Sequence, residues 1–181
     1  MPDLDRMTKR SKDLSQIQLL VLDVDGVLTD GALIINDDGS ESKCFNSLDG
    51  HGIRMWKRAG LKVAFLSGRN SNPTKHRARQ LEADYCLQDC HDKLSALNSL
   101  AAQSGIVPQA MAYVGDDLPD LPVMKAVQFS AAVANAVELV KQTADYVTAK
   151  AGGCGAVREV IEYLLKKTGK WSQAVEKYLH N

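Results

Sequence analysis

Leu19-Leu20-Val21-Leu22-Asp23-Val24-Asp25-Gly26-Val27-Leu28-Thr29 is the stretch on which the fold turns. Four aliphatic residues end in two carboxylates spaced i, i+2 and then a glycine. A run that is apolar on both faces reads as a buried parallel strand, and the carboxyl ends of such strands are where open α/β sheets place chemistry. Carboxylates delivered there must meet a cation, a proton or a phosphoryl group, because burying them unpaired is too costly. The stretch points to a metal-dependent carboxylate site.

Working outward, Lys62–Leu66 repeats the pattern and ends in Ser67-Gly68-Arg69, and residues 111–114 run into Gly115-Asp116-Asp117. Weaker strand signals fall at 84–87, 127–131 and 145–147. Residues 32–36 and 41–45 flank Asp37-Asp38-Gly39-Ser40, which predicts a hairpin. After Asp49-Gly50-His51-Gly52 the period changes. Ile53, Trp56 and Lys57 lead a helix that stops at Gly60, and further helical stretches cover 73–82, 92–104 (closed by Gly105) and 154–167. One more helix is expected between the last two weak strands. Residues 1–17 are polar and predict a mobile start with one short helix, and Trp171 and Tyr178 mark a helical tail over about 168–181. Strands alternating with helices predict a Rossmann-like, three-layer α/β/α fold with a mostly parallel sheet.

The 181 residues fit one domain, with the hairpin as an insertion at about 31–47. Twenty-two basic and 22 acidic side chains balance, which offers no field for nucleic acid or an anionic membrane. No stretch is long and apolar enough to span a bilayer and the charged amino terminus carries no signal peptide, so a cytoplasmic protein is expected. Cys44, Cys86, Cys90 and Cys154 form no CxxC pair. Cys86-x3-Cys90 beside His91 reads less as a zinc site than as a small hydrophobe, Cys86, in an apolar strand.

In a parallel sheet all carboxyl ends share one edge, so Asp23-x-Asp25, Ser67-Gly68-Arg69, Lys93 and Gly115-Asp116-Asp117-x-x-Asp120 converge. Together they offer a nucleophilic carboxylate, a second for proton transfer, a hydroxyl, an ammonium and further oxygens for a hard cation. These four spaced motifs resemble those of the haloacid dehalogenase superfamily of phosphohydrolases. Asp23 through Gly31, Asp49-Gly50-x-Gly52-Ile53-Arg54, Gly115 through Leu118 and Ala151-Gly152-Gly153-x-Gly155-Ala156-Val157-Arg158-Glu159 are similar, more narrowly, to its 3-deoxy-D-manno-octulosonate 8-phosphate phosphatase family.

The resemblance implies a role for each motif. Asp23 attacks the phosphoryl group to give an aspartyl-phosphate, and Asp25 serves as general acid and then base. Mg2+ is held by the Asp23 carboxylate, the Asp25 backbone carbonyl and the Asp116 carboxylate, with Asp120 and Asp117 behind them orienting a metal-bound water. Ser67 and the Gly68 amide cradle phosphate and Lys93 neutralises it. Asn46, Ser47, Asp49, Gly50, Arg54, Arg69 and Arg77 are the implied contacts for the sugar acid, arginine suiting its carboxylate.

Only about forty residues separate the first two motifs, which leaves no room for a large cap. The resemblance then implies a homotetramer whose hairpins assemble and seal adjacent sites. The implied activity is hydrolysis of 3-deoxy-D-manno-octulosonate 8-phosphate in lipopolysaccharide precursor synthesis. Leu48 and Cys154 stand where the family usually has arginine. That keeps a nine-carbon ulosonate 9-phosphate open as substrate, though neither departure touches the hydrolytic residues; a non-catalytic binding or regulatory subunit is a separate, more remote alternative. His51 either touches substrate or fills the turn, and the tail is either a packed helix or a flap.

Overall fold

The computed structural model describes residues 12–179. β1 (Leu19–Leu22) lies at the centre of a six-stranded sheet of order β5-β4-β1-β6-β7-β8, every pairing parallel. Its partners are β4 (Lys62–Leu66), β6 (Met111–Gly115), β5 (Tyr85–Leu87), β7 (Phe129–Ala132) and β8 (Tyr146–Val147). All four β1 side chains are fully buried, which is why the strand reads as an unbroken apolar run rather than an alternating one.

The chain leaves β1 toward β4 on one side and returns through β6 on the other, so the sheet order reverses beside β1. Right-handed crossovers then put α1 (Ser47–Arg58) and α2 (Asn72–Gln80) on one face, with α4 (Leu121–Ala126) and α5 (Glu138–Thr143) on the other. α3 (Lys93–Ser104) packs on α4, while α6 (Ala156–Lys167) and α7 (Trp171–Val175) pack on α1. Leu22 is in register with both Phe65 and Val114, so Asp23, Ser67 and Asp116 emerge at one edge. That reversal is where open α/β sheets hold ligands.

Several boundaries differ from the sequence expectation. α1 starts at Ser47, capped by Asn46, whose Oδ1 accepts from the Leu48 amide at 2.8 Å, and so contains the Asp49–Gly52 stretch after which the helix was expected to begin. The two glycines are there for proximity: a Cβ at Gly50 would sit 2.4 Å from Arg77 Nη2, and one at Gly52 3.2 Å from Arg158 Cα. The hairpin strands β2 (Ile34–Ile35) and β3 (Glu41–Ser42) are shorter than expected, with the apolar side chains of β2 exposed. Cys86 is exposed because β5 is an edge strand. Residues 12–18 hold a turn, and the rest of the polar start, where a short helix was expected, lies outside the described residues.

The tail is packed. Ala174 is buried, the Tyr178 ring lies 5.5 Å from that of His51, and its hydroxyl pairs with Arg58. His51 is therefore a helical residue of α1 under the tail.

The loop 151–155 forms the back wall of the edge. Gly153 N donates to Val27 O at 2.9 Å, and a Cβ on Gly152 would lie 1.7 Å from Gly26 O. Backbone meets backbone there, with no flexible side chain to yield. Gly152→Ala is expected to cost about 3 kcal/mol or more of stability by urea unfolding; a loss within about 0.5 kcal/mol, the range of ordinary surface changes, contradicts this packing.

Candidate active site

Asp23 leaves β1 with its backbone amide donating to Val114 O at 3.1 Å, which fixes the carboxylate against the end of β6. The next turn bends sharply at Gly26, φ +88°, where a Cβ would meet Asp116 Oδ2 at 2.0 Å. Thr29 Oγ1 ties the turn together, accepting from Gly26 N at 3.3 Å and Gly31 N at 3.2 Å. Glycine is required at position 26 so that the first and fourth motifs can touch.

Lys93, the first residue of α3, is buried and bridges two carboxylates: Nζ to Asp23 Oδ1 at 2.8 Å and to Asp120 Oδ1 at 2.6 Å. Asp120 is fully buried and every bond it makes is inward. Its Oδ1 also accepts from Tyr113 OH at 2.6 Å, and its Oδ2 accepts from the amides of Asp116 at 2.8 Å and Asp117 at 3.1 Å. Asp120 thus holds the 115–120 loop closed and fixes Lys93. Asp117 caps the turn 118–120, its Oδ1 accepting from Leu118 N at 2.8 Å. Asp120 and Asp117 shape the loop that presents Asp116.

Electrostatics follow from crowding. Burial first, then the Asp120 carboxylate, pushes Asp23 well above the usual carboxylate range against the opposing pull of Lys93. Burial and Asp120 likewise push Asp116 up to about 6. Burial pulls the Lys93 ammonium down, but Asp23 and Asp120 outweigh it and hold the group above its ordinary value. The Tyr113 hydroxyl is driven well up by burial and by Asp120, and stays a donor.

Carboxylate oxygens of Asp23, Asp116 and Asp120 lie within 4.8 Å of one another, the one such cluster among the described residues. Three acids share a single ammonium there. Hard oxygen donors with excess negative charge suit a small divalent cation.

Ser67 is buried at the end of β4, its Oγ accepting from the Arg69 amide at 3.1 Å, which leaves its hydroxyl proton to give. Gly68 follows it in the same turn. Arg69 pairs with Glu41 of the hairpin at 3.0 Å. Arg77 stacks over Phe45 and donates to the Asn46 carbonyl at 3.1 Å and to Gln80 Oε1 at 2.7 Å. Arg54 reaches the Gln80 carbonyl at 3.4 Å. Arg54, Arg77, Ser47 and Gly50 line one shallow cavity of about 240 Å³ between α1 and α2.

Asn46 and Asp49 are turned elsewhere. Asn46 Nδ2 donates to Gly153 O at 3.1 Å, and the buried Asp49 carboxylate accepts from Gly155 N at 3.2 Å and Arg158 N at 2.8 Å. Asp49 caps α6 and is buried, so a structural contact stands where a substrate contact was expected. Two residues of the edge escaped the sequence reading. Tyr113 had a signal, since a tyrosine in a fully buried strand must find a partner. Lys43, whose ammonium pairs with Asp25, had none.

A family model of haloacid dehalogenase-like hydrolases matches residues 86–161. The 3-deoxy-D-manno-octulosonate 8-phosphate phosphatase KdsC of Escherichia coli K12 is 46% identical over 158 residues, covering 87% of this chain and 84% of its own. The chain belongs to the haloacid dehalogenase-like hydrolases. The KdsC phosphatase of Yersinia pestis is 43% identical over 151 residues, 83% of this chain and 81% of that one. The crystal structure of the Moraxella catarrhalis 3-deoxy-D-manno-octulosonate 8-phosphate phosphatase, in complex with magnesium, phosphate and KDO, superposes with TM-score 0.89. It is 38% identical and covers 92% of this chain and 95% of that chain. The cobalt-bound phosphatase from Haemophilus influenzae gives TM-score 0.85 at 39% identity over 89% and 94% of the two chains. For this hydrolase, the motifs that carried the resemblance meet at the carboxyl edge of β1, β4 and β6.

A pH dependence follows from Asp116. Its folded pKa of about 6 lies above its unfolded value. Between the two, the folded cation-free protein keeps a proton that the unfolded chain has lost, so the Asp116 contribution to stability is fully present at low pH and is lost as pH rises through about 6. Proton and divalent cation compete for the same oxygens, so stabilisation by added Mg2+ should grow across that window and level off above about pH 7. Thermal melts of chelator-treated protein with and without Mg2+ from pH 5 to 8 measure this, and a Mg2+ shift independent of pH contradicts it.

Proposed function

We propose that this hydrolase cleaves the phosphomonoester of 3-deoxy-D-manno-octulosonate 8-phosphate, releasing the free sugar acid and inorganic phosphate in lipopolysaccharide precursor synthesis. The observation that carries the reading is Asp23 set between Lys93 and Asp116 at the edge, in a chain 46% identical to the E. coli phosphatase. The Asp23 and Asp116 carboxylates and the Asp25 backbone carbonyl would hold Mg2+, as the excess of acid over ammonium favours. Bound there, Mg2+ offsets the repulsion between an anionic nucleophile and an anionic phosphate.

Asp23 attacks phosphorus, and the Asp23 O–P bond forms as the bond to the sugar oxygen breaks. Asp25 gives its proton to that departing oxygen. It then removes a proton from water as water attacks phosphorus and Asp23 is released. Lys93 neutralises the transferring group, while the Ser67 hydroxyl and the Gly68 amide hold its oxygens.

Arg69, Arg54 and Arg77, each oriented by the contacts above, are the cations proposed for the sugar acid, with Ser47 and Gly50 beside them. Asp49 acts at a distance, as the cap of α6, and Asn46 through its latch on Gly153.

The partner proposed besides substrate is a second, third and fourth copy of the chain. Leu33, Ile34 and Ile35 of the hairpin are exposed, Ile35 at 61%, which is the kind of apolar strand a neighbour covers. The four cysteines are free thiols, in keeping with the reducing cytoplasm as its place.

Phosphate release from the eight-carbon sugar phosphate should require Mg2+, and Asp23→Asn should lower it by at least about 10⁴-fold, as loss of a nucleophile does. Turnover of only a nine-carbon ulosonate 9-phosphate moves the substrate and keeps the chemistry. Turnover of neither sugar, nor of an aryl phosphate, leaves a non-catalytic subunit. Ile35→Asp should shift the oligomer to smaller species in light scattering; an unchanged mass contradicts hairpin-mediated assembly.

A further inference from the structure

Lys43 is the residue of the edge that no motif announces. It lies just past β3, yet its side chain is 1% exposed, and long cationic side chains are rarely buried without a task. Its ammonium pairs with Asp25 Oδ1 and reaches Glu41 Oε1 at 3.3 Å. Glu41 in turn holds Arg69 at 3.0 Å. The result is a row of alternating charge, Asp25, Lys43, Glu41, Arg69, running from the first motif through the hairpin to the second.

We propose that Lys43 is the positioning residue for Asp25, with Glu41 fixing the ammonium from behind; the proposal rests on the reading of Asp25 as general acid and base. An aspartate at the mouth of an open edge can turn about χ1 and χ2. With Oδ1 tied to Lys43, only Oδ2 is presented to the substrate, and among the described residues Oδ2 has no hydrogen bond. In the proposed chemistry Oδ2 is therefore the oxygen that faces the sugar oxygen and gives it a proton as the P–O bond breaks. Lys43 exchanges no proton with the substrate.

Leaving groups separate this from a structural role. An alkyl oxygen needs the proton and a nitrophenolate does not, so single-turnover release of the leaving group should respond differently to the same substitution. Lys43→Met should slow the sugar phosphate about 10²-fold, the scale of general acid catalysis, with KM held within about threefold. The same change should slow p-nitrophenyl phosphate less than about threefold, because only the proton transfer is lost. In an Asp25→Asn background Lys43→Met should add nothing further, as expected of residues acting as one unit. Glu41→Gln should move the ratio in the same direction by less, and Lys43→Arg should restore part of it; these two test the idea should the methionine variant fail to fold.

Equal losses on both substrates, a raised KM with unchanged kcat, or a full additional loss in the Asp25→Asn background each overturn the proposal. A wild-type protein that ignores the sugar phosphate but cleaves other alkyl phosphates counts against the proposed substrate alone, and one of those esters then serves in the comparison.

Discussion

The edge that carries the candidate active site is organised around one carboxylate, that of Asp120. Asp120 is fully buried and engages four donors: an ammonium, a phenol and two backbone amides. A buried anion in that setting is tolerable because its oxygens are satisfied by well-aligned donors, and removing any of these leaves charge uncompensated. The arrangement joins three separate pieces of chain. Tyr113 belongs to β6, Lys93 to α3, and the two amides to the loop that ends β6. Lys93 then carries the constraint to Asp23 on β1. Asp23 is thus held from behind by a fully buried group.

The same logic explains why the site sits where it does. The sheet order reverses beside β1, so its neighbouring loops diverge and leave a crevice. Into that crevice the chain delivers acids from β1 and β6 and a cation from α3, and the burial that crowds them raises Asp23 and Asp116 together. Such crowding is a cost to the fold and an advantage to a site that binds a divalent cation and an anionic ester.

Much of this was legible from residues alone. β1, β4 and β6 are apolar on both faces and stop at polar residues, so their ends could be located and their chemistry grouped. What was hidden shares one cause: it depends on which parts of the chain lie close together. The Asp49–Gly52 stretch looks like a lead-in to the helix until Arg77 and Arg158 are seen against its glycines. Asp49 looks like a ligand group until the N-terminus of α6 arrives beside it. Lys43 looks like any hairpin lysine until the hairpin folds over Asp25. Local spacing carries strands and motifs, and it carries no information about a cap supplied from a hundred residues away.

The contact between Gly152 and Gly26 has a mechanical meaning. Because two backbones meet there with no side chain between them, the 151–155 loop, which opens α6, sets where the Gly26–Val27 peptide can lie. Asp49 pins the start of α6 to α1. The turn that follows Asp25 thus takes its position from a helix whose sequence begins about 130 residues later.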